Sequence, residues 1–142
     1  MNKDPSAPRR ENVLRTEHWR VAHAFNTRLP GWLIIVASRH VTSLADLTAE
    51  AAGELGRLQW ALSLALRDVV GCDKTYVMQF SEAEGFPHLH VHLVPRMPDL
   101  SEGLKGPEIF QLLGVPPEDR VSDQEMDRLS EEVGRVASSH FG

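Results

Sequence analysis

Cysteine is almost absent from this sequence, because Cys72 is the only one among 142 residues. A single cysteine cannot form an intramolecular disulfide, and it excludes a metal site built from several thiolates. We expect Cys72 to be a small buried side chain and not a reactive thiol. A chain of this length buries about two thirds of its unfolded surface, so it can support a real hydrophobic core.

A long apolar run and an excess of positive charge are also missing. No segment approaches the roughly 20 apolar residues that span a bilayer, and the polar residues 1–10 do not resemble a signal peptide. The net charge is −5, whereas nucleic-acid binding depends on clustered Lys and Arg. We therefore expect a cytoplasmic protein with no membrane or nucleic-acid partner, and an anionic substrate would need a local donor-rich pocket.

Apolar periodicity predicts the order strand, strand, helix, strand, strand, helix. The predicted strands cover residues 19–25, 32–37, 75–80 and 88–95, and the predicted helices cover residues 49–70, 108–113 (short) and 123–139. Thr48 and Gly71 are suitable caps for the longest helix, and Ser122 and Glu125 form a capping-box pattern. Because this order lacks regular strand–helix alternation, we predict an α+β fold with an antiparallel sheet. A flexible N-terminal tail over residues 1–12 precedes a single domain over residues 13–142.

Histidine is concentrated in one place, since three of the seven lie at positions 88, 90 and 92. Successive side chains of a strand point to opposite faces. His88, His90 and His92 should therefore share one face, while the aliphatic residues between them point into the core.

Three interpretations of this run remain open. The histidines could be a chance surface cluster. They extend about 14 Å along a strand, too far for all three rings to reach one ion at a ligand distance of about 2 Å, although two of them with a distant ligand could hold a metal. The favoured interpretation is nucleophilic or acid–base chemistry, because a neutral imidazole is nucleophilic at one nitrogen while an acceptor holds the other.

Residues 88–94 resemble the signature of the histidine-triad (HIT) family, in which histidines alternate with apolar residues. Upstream segments that resemble the family's Pro-Gly-His strand, its basic-residue-plus-His segment and its Leu-x-Asp-Leu turn lie at residues 29–36, 38–41 and 44–47. The resemblance extends from about residue 19 to residue 96 and leaves residues 99–142 as a C-terminal extension.

This resemblance implies an antiparallel sheet of about five strands with one long helix and a C-terminal helix, usually in a homodimer. It implies a nucleotide hydrolase or nucleotidylyl transferase that forms a covalent nucleotidyl-histidine on a dinucleoside polyphosphate or nucleoside phosphoramidate. No cofactor is expected, although a divalent cation can accompany a polyphosphate substrate. A nucleotide-binding protein with weak or no catalysis is the alternative.

The resemblance also assigns residues. By position, His90 matches the nucleophile, His88 and His92 its partners at the phosphate, and His40 an additional histidine near the triad. Asn26 matches a residue that binds the ribose.

Two departures from the family pattern bear on the chemistry. Residues 84–87 carry no hydroxyl or amide side chain where many members have Gly-Gln-Ser or Gly-Gln-Thr. Leaving-group handling is therefore expected to fall to Ser81, to Gln79, which resembles a glutamine near the phosphates, or to backbone amides near Gly85. Trp32 replaces the usual histidine after Pro-Gly, which predicts either altered base stacking or core packing.

Overall fold

The architecture is a five-stranded antiparallel sheet with two long helices, in a computed structural model that describes residues 7–82 and 87–141. The strands are β1 (Leu14–Arg15), β2 (Trp19–His23), β3 (Leu33–Ala37), β4 (Lys74–Met78) and β5 (His90–Arg96), and the helices are α1 (Ala49–Val70) and α2 (Asp123–Phe141). Their order across the sheet is β1-β2-β3-β5-β4, with each neighbouring pair antiparallel. The predicted α+β fold with about five strands is confirmed.

Helix α1 has the limits that its local sequence predicts. The Thr48 hydroxyl accepts the N–H of Ala51 at 3.1 Å, and Gly71 ends the helix in the left-handed region at φ 72°. Glycine adopts that conformation without the steric cost that a side chain adds. The helix buries one apolar stripe against the sheet, formed by Leu55, Leu58, Leu62 and Leu66 together with alanines.

The main core lies between α1, one face of the sheet and α2. Leu89, Val91 and Leu93 are almost fully buried in it, as the strand alternation predicts. Cys72 is likewise buried, and burial raises the pKa of its thiol. Helix α2 approaches the backbone closely at Gly134, where an added methyl group would collide with the Val13 carbonyl oxygen.

The N-terminal residues correct one expectation. Arg9–Glu11 form a short 3-10 helix that packs against α2. The backbone N–H and the guanidinium of Arg10 donate to the Asp127 carboxylate at 3.0 and 2.9 Å. Residues 9–12 are therefore held against the domain by long-range contacts and do not form part of a solvated tail.

Strand β5 begins at His90, two residues later than predicted. The backbone N–H of Leu89 donates instead to the Val41 oxygen at 2.8 Å, beyond the end of β3. His88 therefore lies outside the regular hydrogen-bond ladder between β3 and β5.

The opposite face of the sheet carries a second, smaller core. The 3-10 helix Gly106–Leu112, near the short helix predicted over residues 108–113, covers Ala24, Trp32 and Val94 with Ile109. It covers only part of that face, so a cleft remains beside it. In the described ranges, no helix combines the length and apolarity needed to cross a membrane.

Candidate active site

A cleft with a volume of about 920 Å³ opens on the sheet face opposite α1. Strands β2, β3 and β5 form its floor. Arg20, Val36 and His90 lie opposite one another across these strands, and Ala22, Ile34 and His92 form the next row. The walls come from the loop after β2, the loop after β4 and the C-terminal extension, through Phe25, Asn26, Phe80, Ser81, Glu82, Phe110 and Leu113.

His90 is held in one tautomer by the backbone of its own strand. Its Nδ1 lies 2.9 Å from the carbonyl oxygen of His88, which can only accept, so Nδ1–H donates. The neutral ring then keeps the lone pair on Nε2, its second nitrogen. Because His90 lines the cleft, this arrangement suits a nucleophile.

His92 is held in the opposite tautomer by a different partner. The indole N–H of Trp32 donates to His92 Nδ1 at 3.0 Å, so the hydrogen of the neutral imidazole lies on Nε2. Burial, and to a smaller extent the nearby His90, lowers the pKa of His92 to about 4. His92 is therefore a neutral hydrogen-bond donor at physiological pH.

Trp32 is fully buried and packs edge-on against His92 and Phe110. Of the two predicted roles for this residue, the structure supports core packing and not base stacking, because its ring has no exposed face. Its indole N–H adds a third role, orientation of His92, that the sequence did not suggest.

His88 and His40 form a pair at the edge of the site. His88 Nε2 lies 2.7 Å from the Ala37 carbonyl oxygen, and its Nδ1 lies 3.1 Å from His40 Nδ1. The rings stack with centroids 5.2 Å apart. Since the carbonyl fixes the hydrogen of neutral His88 on Nε2, His40 Nδ1–H donates to it. Histidines 48 positions apart thus share one proton donor–acceptor contact.

Ser81 is occupied by backbone contacts. Its hydroxyl accepts the His90 N–H at 3.2 Å and the Gln79 amide at 2.6 Å, and it donates to the His90 oxygen at 3.3 Å. Ser81 adopts φ 58°, a left-handed conformation that costs a serine about 1–3 kcal/mol. The side chains of Gln79 and Ser81 therefore support the backbone around His90. The sequence instead led us to expect that their polar atoms receive the leaving group.

Two residues that the sequence predicted for the site remain, Asn26 and Gly85. Asn26 lines the cleft, and in the described part of the chain its side-chain amide has no hydrogen-bond partner. Gly85 lies outside the described residues.

Several cleft residues were missed by the sequence analysis. Phe110 lies with its ring centroid 5.1 Å from that of His92 and 6.0 Å from that of Phe80, so the C-terminal extension forms part of the wall. Arg20 and His23 were also missed. Both His23 nitrogens are used locally, because Nδ1–H donates to the Ala24 oxygen and Nε2 accepts the Gly31 N–H.

Potential metal ligands also gather at a second place, away from the triad. Among the described residues, the one group of three histidine or carboxylate side chains close enough to share an ion is Glu17, His18 and Glu54. None of the triad histidines belongs to it. The Glu54 carboxylate already accepts hydrogen bonds from the Thr16 hydroxyl and the His18 N–H.

Comparison with known proteins decides the family. The model of the HIT domain matches residues 8–99, well over half of the chain. The protein belongs to the HIT domain family. No curated protein matches the sequence closely enough to count as a relative.

Solved structures agree with this assignment at the level of the fold. A histidine triad protein from Bradyrhizobium japonicum is 20% identical with a TM-score of 0.71, over 87% of this chain and 87% of that one. A histidine triad nucleotide-binding protein from Sulfolobus tokodaii is 18% identical with a TM-score of 0.66, over 91% and 84%. Diadenosine triphosphate hydrolase from Plasmodium falciparum is 15% identical with a TM-score of 0.66, over 94% and 80%.

Proposed function

We propose that this HIT protein is a nucleotide hydrolase or nucleotidylyl transferase in which His90 attacks the α-phosphorus of its substrate. The hydrogen bond from His90 Nδ1 to the His88 oxygen, 2.9 Å long, carries this proposal. It keeps the hydrogen of the neutral ring on Nδ1, so Nε2 is the basic nitrogen of this cleft-lining imidazole and the atom that would attack phosphorus.

The reaction divides into two displacements. In the first, the Nε2 lone pair forms a bond to phosphorus while the bond from phosphorus to the leaving oxygen or nitrogen breaks, and the leaving group takes up a proton from solvent. In the second, water attacks phosphorus and gives up a proton to solvent, the bond to Nε2 breaks, and a nucleoside monophosphate is released with His90 restored. One difficult step thus becomes two easier ones.

The neighbouring histidines serve this chemistry in different ways. His92 donates its Nε2–H to a non-bridging phosphoryl oxygen, which stabilises the charge that develops there. Its low pKa makes it a fixed donor and not a source of the leaving group's proton. The His40–His88 pair supports His90 through the His88 carbonyl oxygen.

The cleft and the similar structures support the choice of substrate class. The Asn26 amide can bind ribose hydroxyls, and the rings of Phe80 and Phe110 provide an apolar wall for a base. The Plasmodium relative is a diadenosine triphosphate hydrolase, and the Sulfolobus relative is described as nucleotide-binding. We therefore propose a dinucleoside polyphosphate or a nucleoside phosphoramidate as the substrate.

A nucleotide-binding protein with little catalysis is the second candidate. It is favoured by Ser81, because its hydroxyl is engaged with the His90 backbone and does not point to a leaving group. Incubation with both substrate classes and chromatography of the products separates the candidates. Release of a nucleoside monophosphate supports the enzyme, and unchanged nucleotide supports the binding protein.

The variant His90→Asn tests the proposed nucleophile. We expect it to lose turnover by several orders of magnitude, since asparagine cannot form the phosphorus–nitrogen intermediate, while nucleotide binding measured by calorimetry is retained. His140→Asn, which changes an exposed histidine of α2, is the matched control and should keep full activity. Undiminished turnover in His90→Asn would contradict the proposal.

We also propose that the protein is a homodimer joined through β4. This strand lies at the edge of the sheet, where unpaired backbone groups favour pairing with another strand. Val77 on β4 and Trp60 on α1 are 49% and 57% exposed, which is high for such apolar side chains. Light scattering should give twice the monomer mass, and Val77→Asp should lower it to that of a monomer. A monomeric parent protein would contradict this proposal.

A further inference from the structure

Arg20 is a buried cation that faces the cleft with few acceptors. The residue is 8% exposed, and it lines the cleft on the same row of the sheet as His90. Its one hydrogen bond to the described residues runs from Nη1 to the Glu11 carbonyl oxygen and is 3.4 Å long. A guanidinium has five N–H donors, so most of them have no acceptor among the described residues.

The electrostatic surroundings compensate the charge of Arg20 only in part. Burial lowers the pKa of its guanidinium, Arg15 in the neighbouring strand position lowers it further, and Glu11 raises it. Leaving a charged group buried with unfilled donors is costly. A ligand that presents acceptors to Arg20 would remove this cost, and this points to a binding role.

The position of Arg20 fits the far end of a nucleotide. Strands β2 and β5 are separated by β3, so the Cα atoms of Arg20 and His90 lie about 10 Å apart. Val36 separates them on the floor, and the small side chain of Ala22 leaves space beside Arg20. A nucleotide whose α-phosphate lies at His90 would extend its base over this floor.

We propose that Arg20 selects the base of the substrate and favours guanine over adenine. This rests on the proposed function, which places the α-phosphate at His90. Guanine presents two neighbouring acceptors, O6 and N7, that match the two-pronged donor geometry of arginine, whereas adenine presents an amino donor in place of O6.

The test compares two bases with everything else unchanged. Affinities for GMP and AMP are measured by calorimetry, and turnover is measured on guanosine and adenosine 5′-phosphoramidates that carry the same amine. The parent protein should prefer guanine in both assays. Arg20→Met, which keeps the aliphatic stem, should reduce the guanine-to-adenine ratio by about tenfold or more. Arg20→Lys keeps the charge without the planar guanidinium and should also lose most of the preference.

The control variant changes Arg15, which lies opposite Arg20 on the neighbouring strand β1. Arg15→Met removes the same charge from an exposed neighbour and should leave the ratio unchanged. Equal affinity of the parent protein for GMP and AMP, no binding of either, or an equal loss for both bases in Arg20→Met would overturn the proposal. Base preference in binding without turnover of either phosphoramidate would contradict the catalytic proposal alone, and turnover without preference would contradict only the role of Arg20.

Discussion

Replacing Trp32 by phenylalanine removes a single hydrogen bond from the site while keeping an aromatic ring in the core. The lost bond is the 3.0 Å contact between the indole N–H and His92 Nδ1. In the parent protein, protonation of His92 would set two N–H donors against each other. The contact therefore acts in the same direction as burial and His90, which hold the pKa of His92 near 4.

The size of the effect follows from these contributions. The fall in the His92 pKa from 6.5 to about 4 corresponds to about 3 kcal/mol against protonation. One neutral hydrogen bond contributes about 1 kcal/mol. We expect Trp32→Phe to raise the pKa of His92 by about one pH unit. The groups facing His92 from the adjacent strands and the 3-10 helix are Ile34, Met78 and Phe110, which do not titrate, so His90 is the main titrating neighbour.

An NMR titration of the histidine ring protons measures this pKa directly, with His92→Gln used to assign the signal. Trp60→Phe is the matched control, because it makes the same chemical change at a tryptophan that is more than half exposed on α1. An unchanged His92 pKa in Trp32→Phe, or an ordinary pKa in the parent protein, would refute the reasoning.

Three further predictions concern stability. Thr48→Ala removes the acceptor for the Ala51 N–H and should lower the free energy of unfolding by about 1 kcal/mol in urea denaturation; no change would show that the cap contributes nothing. Gly134→Ala forces a methyl group against the Val13 carbonyl and should cost about 2 kcal/mol in the same assay, although alanine favours a helix; a stabilised variant would contradict the close packing. Because the pKa of His92 is depressed in the folded protein, its contribution to the free energy of unfolding is fully present above pH 6.5. This contribution is lost as the pH falls towards 4, by up to about 3 kcal/mol. Urea denaturation at a series of pH values measures the loss, and an equal loss in the parent protein and in His92→Gln would contradict the prediction.

Features that depend on local sequence were predictable. The limits of α1 follow from a capping threonine, a terminal glycine and an apolar stripe, all within one segment. The placement of Leu89 and Val91 in the core follows from strand alternation alone. Ser122 also caps α2 as predicted, since its hydroxyl accepts the Glu125 N–H, but the Glu125 carboxylate binds Arg128 and completes no capping box.

The contacts that shape the site depend on strand register and were not predictable. Strand β3 pairs with both β2 and β5 at a fixed offset. This register brings Trp32 into contact with His92 and places Arg20 in the same row of the sheet as His90. A lone arginine in a strand gives no signal until its neighbours across the sheet are known. Phe110 reaches the cleft through an irregular segment without periodicity, which gave no local indication of its position.

The most direct test of the account is mass spectrometry of the protein quenched rapidly after mixing with a nucleoside phosphoramidate or a dinucleoside polyphosphate. We expect a nucleoside monophosphate adduct, attached through phosphorus to His90 and absent from His90→Asn. An adduct on another residue, or rapid turnover with no adduct on His90, would contradict the claim that His90 forms the covalent intermediate.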